Sequence, residues 1–196
     1  MRRSAAQTQL HILNAAYGLF WRQGFLRVSM DEIAARAGIT KRTLYQHFRS
    51  KDALMAATLA YSSELALKQL GQFRKPVKTS DELIESYFAE LGDWARKPKY
   101  SGGGITRAVV ELADLRGHPA RAIARKHKTA VEKWLADELA ATGVLSPGDR
   151  AREVVLLTEG AMVLMLIHGD PGWANSAMRA AKRLLRTRES LGSKIR

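Results

Sequence analysis

In nearly every stretch between breakers, the apolar residues of this 196-residue chain recur at every third or fourth position, and no segment alternates apolar with polar for long. That period lays one apolar stripe along a helix, whereas a half-buried strand needs a period of two. The fold class is therefore all-α, with about nine helices whose ends are set by glycine, proline and capping residues. The first runs from about Ala6 to Gln23, with Leu10, Leu13, Tyr17 and Phe20 on one stripe, and ends at Gly24. The second opens at Ser29, three residues before Glu32 in a capping-box arrangement, with Val28 and Ile33 placed as a hydrophobic staple. Gly38 ends it, because glycine takes the left-handed helix end without steric strain. Thr40 caps a short third helix to about His47, and Ser50 caps a long fourth from Lys51 to near Phe73.

Beyond Pro76 the helices are larger and amphipathic. Thr79 and Glu82 repeat the capping-box spacing and open a fifth helix through about Arg96. The segment from Pro98 to Gly104 reads as a connector: no G-K-[ST] follows its three glycines and no strand precedes it, so it lacks the setting of a phosphate-binding loop. A sixth helix covers about Ile105 to Leu115 and a seventh about Pro119 to Thr142, while Ser146-Pro147 caps and opens the eighth and Asp170-Pro171 does the same for the ninth. From Val154 to Ile167 the eighth is apolar almost all round, yet it is too short to span a bilayer and carries Glu159. A surface helix needs only one apolar stripe, so this one is expected to be covered on two sides, by core alone or by core and a second subunit.

The net charge of +13 is unevenly spread. Residues 1–51 hold 9 basic and 2 acidic side chains, residues 52–177 hold 16 of each, and residues 178–196 hold 7 basic and 1 acidic. Concentration at the N-terminus suits a module that faces a polyanion; the C-terminal cluster reads equally well as a solvated last helix. There is no cysteine, which removes disulfide scaffolds, thiolate catalysis and Cys-ligated metals, and the five histidines are scattered without an H-x-x-x-H pair. Neither G-x-S-x-G, H-E-x-x-H nor a Gly-rich nucleotide fingerprint occurs. A polar stretch follows Met1 without an apolar segment behind it. The expectation is a cytoplasmic protein without metal, cofactor or membrane partner, and not an enzyme.

Residues 29–48 have the layout of a helix-turn-helix, two short capped helices joined by a turn at Gly38. Ala34 and Ala35 are small enough for close helix crossing, and Ile33, Ala37, Ile39, Leu44 and Phe48 supply the buried faces. What remains on the third helix is Lys41, Arg42, Thr43, Tyr45, Gln46 and His47, all able to donate a hydrogen bond from a face free to enter a major groove. Lys41 and Arg42 stand in its first turn, where positive charge opposes the helix dipole, so cations there suit an anionic partner. The plainer alternative is a solvated face of a helical bundle.

From Ile12-Leu13-Asn14-Ala15-Ala16 through Phe20 and Gly24-Phe25, then from Ser29 to Leu54, with Ala34, Gly38, Thr43-Leu44-Tyr45, Phe48 and Lys51 at specific spacing, the chain resembles the DNA-binding domain of the tetracycline-repressor (TetR) family of bacterial regulators. The resemblance implies a DNA-binding domain over residues 1–50 and a helical domain over residues 51–196 that binds a small effector. It also implies a homodimer paired through the last two long helices. Past residue 55 the likeness thins, and the ligand does not transfer.

Carried onto this chain, the resemblance makes Lys41, Arg42, Thr43 and Gln46 the groove-facing residues. Lys41 or Arg42 suits guanine O6/N7 and Gln46 suits adenine N6/N7. Ser29, Thr40, Tyr45, His47 and Lys51 are implied phosphate contacts, which fix register without reading sequence. Many family members have Gly where this chain has Arg42, so whether that residue reads a base or a phosphate stays open. Tyr87, Leu91, Trp94, Val109, Trp134 and Met162 are candidates for the effector pocket, because aromatic and soft side chains line apolar pockets; each also fits ordinary core. Leu164 and Leu166 of the eighth helix, with Trp173, Ala177, Ala181 and Leu184 of the ninth, are expected at the dimer interface. The implied function is a transcriptional repressor that binds a palindromic double-stranded operator as a homodimer and is released by a small, largely apolar effector. The alternative is a helical protein that coats DNA without sequence preference or effector control.

Overall fold

A computed structural model describes residues 4–72, 77–97, 100 and 102–186. The expected end of the fourth helix at Phe73, and part of the C-terminal basic cluster, lie outside the described residues. Among those described there are nine helices and no strand: α1 (Ala5–Gln23), α2 (Met30–Arg36), α3 (Lys41–His47), α4 (Lys51–Gln72), α5 (Ser80–Ala95), α6 (Gly104–Glu111), α7 (Ala120–Ala141), α8 (Pro147–His168) and α9 (Gly172–Arg186). No helix among them is long and apolar enough to cross a membrane. They form two compact units. The first takes the chain up to Leu70 together with Gly104–His127, and the second takes Gly71–Gly103 and the chain from Lys128 on.

Packing thus groups the chain differently from a division at residue 50. Leu54, Met55 and Leu59 of α4 and Ala108 of α6, with Leu112 just beyond it, share one core with Phe20, Ile33 and Leu44. Phe20 and Phe25 stack at 5.1 Å in this core. α1 buries Ile12, Ala16, Leu19 and Phe20, whereas Leu10 and Tyr17 of the expected stripe are exposed. Apolar residues cover more than one stripe of α1, and Tyr17 serves the outer one by stacking on Trp21 at 4.3 Å.

α6 is fastened to the end of α1. Arg107 donates to the Trp21 carbonyl at 3.3 Å, Glu111 accepts the Phe25 N–H at 2.7 Å, and the two side chains pair with each other at 2.6 Å. Gly104 lets the backbone lie against Trp21, for a Cβ there would sit 2.1 Å from the indole. α6 stops at Glu111, short of the expected Leu115, because residues 112–118 tighten into three-residue turns around Gly117, φ +81°. α7 is capped by a histidine, which the sequence did not suggest: His118 Nδ1 accepts the Ala120 N–H at 3.1 Å.

The second unit packs α9 against α5 and α8. Leu83, Ile84 and Phe88 of α5, Leu135 and Leu139 of α7, and Val154, Ala161 and Met165 of α8 are buried in it. Ala174, Ala177, Ala181 and Leu185 are the buried face of α9. Small residues there admit α5, whose Gly92 is placed so that a Cβ would meet the Ala174 methyl at 3.5 Å. Ion pairs from Glu85 to Lys182 and from Asp81 to Arg186 tie the outer edges of α5 and α9. Ser146 precedes α8 at φ +52° and makes no capping bond, contrary to the expected cap, so Pro147 alone opens that helix.

Candidate nucleic-acid interface

Residues 29–48 form two short helices held by their ends. Ser29 Oγ accepts the Glu32 N–H at 3.2 Å, while the Glu32 carboxylate accepts the Ser29 N–H at 2.7 Å and its hydroxyl at 2.9 Å. These bonds, the backbone one foremost, hold the Glu32 carboxyl below its ordinary range. At the far end of α2, Ile39 N–H donates to Ala34 O at 3.0 Å and Gly38 N–H to Ala35 O at 3.1 Å. That is the paired closure that needs a left-handed residue between, and Gly38 stands at φ +59°. His11 Nε2 lies 3.0 Å from the Ala37 carbonyl and ties this turn to α1. Thr40 then caps α3 by accepting the Thr43 N–H at 3.1 Å.

Leu44 and Phe48 anchor α3 in the core. Thr40, Lys41, Arg42, Tyr45 and Gln46 are exposed, and Thr43 and His47 are half-buried. The fold thus brings seven of the nine expected contact residues onto α3 and its cap, with Ser29 at the start of α2 and Lys51 at the start of α4. Five of the nine have internal commitments, Thr40 and Thr43 through hydroxyls 2.9 Å apart. Lys41 Nζ lies 2.9 and 3.0 Å from the two Asp31 oxygens, and the hydrogen bond to that carboxylate pushes the ammonium above its ordinary value. Lys51 Nζ donates to the Leu26 carbonyl at 2.7 Å, and partial burial lowers its pKa. The hydroxyl proton of Ser29 goes to Glu32. Asp31 is a residue that sequence reasoning passed over; its only signal was an acid in the first turn of α2, which the helix dipole already explains. No group of three or more potential metal ligands occurs among the described residues.

The pocket candidates do not stand together as one set. Tyr87, Leu91 and Trp94 follow one another along one face of α5 in the second unit. The Tyr87 ring is 6.1 Å from that of Trp134, and its hydroxyl lies 3.4 Å from that of Thr158 on α8. Burial pushes the Tyr87 phenol up to about 12. Further along, Leu91 and Trp94 pack on a cluster of Met162, Met165 and Ala174, where Tyr100 donates to the Met162 carbonyl at 2.8 Å. Burial, then the Glu159 charge, raise Tyr100 to about 12 as well. Val109 belongs to α6 in the first unit.

The expected interface residues divide by exposure. Ala177 and Ala181 face the core of their own unit, Ala181 with 0% of its surface exposed, so neither has a surface to offer a second copy. Their spacing signalled burial correctly, but α5 and α8 of the same chain do the burying. Leu164, Trp173 and Leu184 are half-buried, Trp173 stacking on His168 at 5.3 Å. α8 is covered on one side: Ala151, Val154, Thr158, Ala161, Met162 and Met165 are buried, and Leu156, Val163, Leu166 and Ile167 are exposed by 68, 48, 48 and 67%.

Residues 12–58 match the family described as bacterial regulatory proteins, tetR family. The HTH-type transcriptional regulator UidR of Escherichia coli is 40% identical over 89 residues, 44% of each chain, so the match spans less than half of that relative. Another E. coli regulator of the HTH type, YjdC, is 23% identical over 89% of this chain and 92% of its own. Among solved structures, a TetR-family transcriptional regulator from Streptomyces coelicolor superposes with a TM-score of 0.81 at 26% identity, covering 92% of this chain and 95% of that one. The multidrug binding protein EbrR, complexed with proflavin, has the same fold with a TM-score of 0.64 at 23% identity, covering 90% and 99%.

Proposed function

Because the chain belongs to the tetR family of bacterial regulatory proteins through residues 12–58, we propose that it is a ligand-responsive repressor, a homodimer that binds a palindromic operator and leaves it when a small, largely apolar effector is taken up. The observation that carries the DNA half is the polar outer face of α3, which stands opposite the buried Leu44 and Phe48. A helix anchored on one side and lined with donors on the other fits a major groove. In this reading the DNA contacts come from residues 1–50 and from Lys51 at the junction that follows them. Thr43 works beside the groove-facing cations and Gln46, and Tyr45, His47, Thr40 and the two spare protons of the Lys51 ammonium meet phosphates. Residues 51–196 carry effector binding and dimerisation, in the cytoplasm where the operator lies.

The exposed stripe of α8 supports the dimer. Leu156, Val163 and Ile167 recur at helical spacing on one side, and an apolar row of that length left to water marks an interaction surface. We place Leu166, Leu164 and the half-buried Trp173 and Leu184 at its margin. Two subunits joined there must set their recognition helices about 34–36 Å apart to reach successive major grooves. For the effector, the aromatic side chains Tyr87, Trp94 and Trp134 with Leu91 and Met162 are the apolar lining we propose, and the proflavin held by the like-folded EbrR supports uptake of an aromatic molecule. Protection mapping on the DNA adjoining its own gene tests the reading. The expected footprint is a two-fold site with half-sites one helical turn apart; equal affinity for this DNA and for random duplex would instead establish a non-specific coating protein.

A further inference from the structure

Two cations open α3, and their surroundings differ. Lys41 is engaged by both oxygens of Asp31. Arg42 is exposed and makes no hydrogen bond or ion pair with a described residue, and the same holds for Gln46. Helical phase separates the same residues independently. With a turn of about 100° per residue and Leu44 as the core direction, Arg42 and Gln46 both fall within about 20° of the opposite side. Lys41 lies only about 60° from the core direction, on the flank that faces Asp31.

We propose that Arg42 and Gln46 are the base-reading ridge of α3, taking a guanine and an adenine about two base-pair steps apart in each half-site, while Asp31 holds Lys41 out of the readout. The inference rests on the operator reading above and specifies it. One turn apart on the outermost line of the helix, the two side chains are separated by about 6 Å of rise, close to two steps of about 3.4 Å in duplex DNA. Arg42 presents a planar fork to guanine O6 and N7, and the Gln46 amide donates to adenine N7 while accepting from N6. For Lys41 to reach a base, its ammonium would have to leave Asp31, exposing a carboxylate to the field of the phosphates. Asp31 is accordingly a positioning residue: it keeps one cation as a neutral pair at the groove and leaves sequence discrimination to the other.

Selection of duplexes from a fully randomised library by the full-length protein, followed by affinity measurements across a salt series, tests the assignment. The wild type is expected to enrich a two-fold motif with a guanine and an adenine two steps apart in each half. Arg42→Ala is expected to lose the guanine preference, by roughly tenfold or more at that position, and to keep the adenine. Arg42→Lys retains the charge and donors without the fixed fork, so it should weaken the guanine preference less than Arg42→Ala does while holding its affinity for random duplex. Gln46→Ala should lose the adenine alone. Lys41→Ala should keep both preferences, and Asp31→Asn should bind random duplex more tightly, with a salt slope steeper by about one per subunit. A Lys41→Ala protein that loses a base preference, an Arg42→Ala protein that keeps all of them, or an Asp31→Asn protein with unchanged salt dependence overturns the assignment and leaves the operator reading intact. A wild type that enriches no motif overturns both.

Discussion

The carboxylate of Glu111 accepts the backbone N–H of Phe25 at 2.7 Å, joining residues 86 positions apart in the sequence. The same side chain pairs with Arg107, which holds the Trp21 carbonyl at the end of α1. The Trp21 carbonyl, one of those a helix C-terminus leaves without a partner, and the Phe25 N–H just beyond the cap are thereby both satisfied from α6. Glu111→Ala removes a charged acceptor and strands a buried N–H. We expect a loss of about 1.5–3 kcal/mol, read as a lower urea midpoint at unchanged slope.

Gly104→Ala is expected to destabilise the same unit for a steric reason. The added methyl would meet the Trp21 indole at 2.1 Å, and that ring is wedged between Tyr17 and Phe25. Overpacking of this kind costs about 1–3 kcal/mol. In a double-mutant cycle with Trp21→Leu the penalty should largely vanish, since the smaller side chain vacates the space. Additive losses would place the strain elsewhere.

At the α2 start, Glu32 supplies a pH dependence whose sign is fixed by its lowered pKa. A group whose folded pKa lies below its unfolded value of about 4.5 stabilises the fold above that value, and the contribution fades as pH falls through the folded pKa. Acid titration of the unfolding free energy should therefore drop more gently for Glu32→Gln than for the wild type, with the two curves meeting at low pH. Ser29→Ala removes the cap itself and should cost about 0.5–2 kcal/mol at neutral pH.

The interface proposal separates two substitutions of one chemistry. Val163→Asp lies on the exposed stripe of α8, so a folded monomer is expected in sedimentation, with unchanged helical content. Ala181→Asp buries an unpaired charge against α5 and α8 and should unfold the second unit instead. A Val163→Asp protein that still sediments as a dimer would move the interface off α8.

Much of this fold was legible in the chain. The Ser29–Glu32 box, the Gly38 turn, the Thr40 cap and the Thr79 cap all act within four residues, and local chemistry decides them. Two kinds of error had physical causes. On α1 and α9, several apolar rows compete, and periodicity ranks them without knowing which neighbour arrives: Tyr17 faced outward, and Ala177 and Ala181 met helices of their own chain. Contacts between distant positions left no trace at all. Asp31 on Lys41, Lys51 on the Leu26 carbonyl and Glu111 on Phe25 each require the fold first, and two of the three use a backbone atom that every residue shares. The exposed polar face of α3 was readable because its setting is a short capped helix with a single buried row; the packing of the aromatic residues beyond it was not, because an aromatic side chain looks the same in a core and in a cavity.

Residues 21–26 are also where the end of α1, the first residue of α4 and the last turn of α6 converge, through Arg107, Glu111 and Lys51. The portion of this protein that travels as a self-sufficient module is consequently discontinuous in sequence. A chimera that transplanted only the first fifty residues onto another regulator's body would carry Trp21, Phe25 and Leu26 away from the side chains that complete them. A graft that also brought α4, Arg107 and Glu111 would arrive with its own fastenings, and recombination between relatives should tolerate the second cut far better than the first.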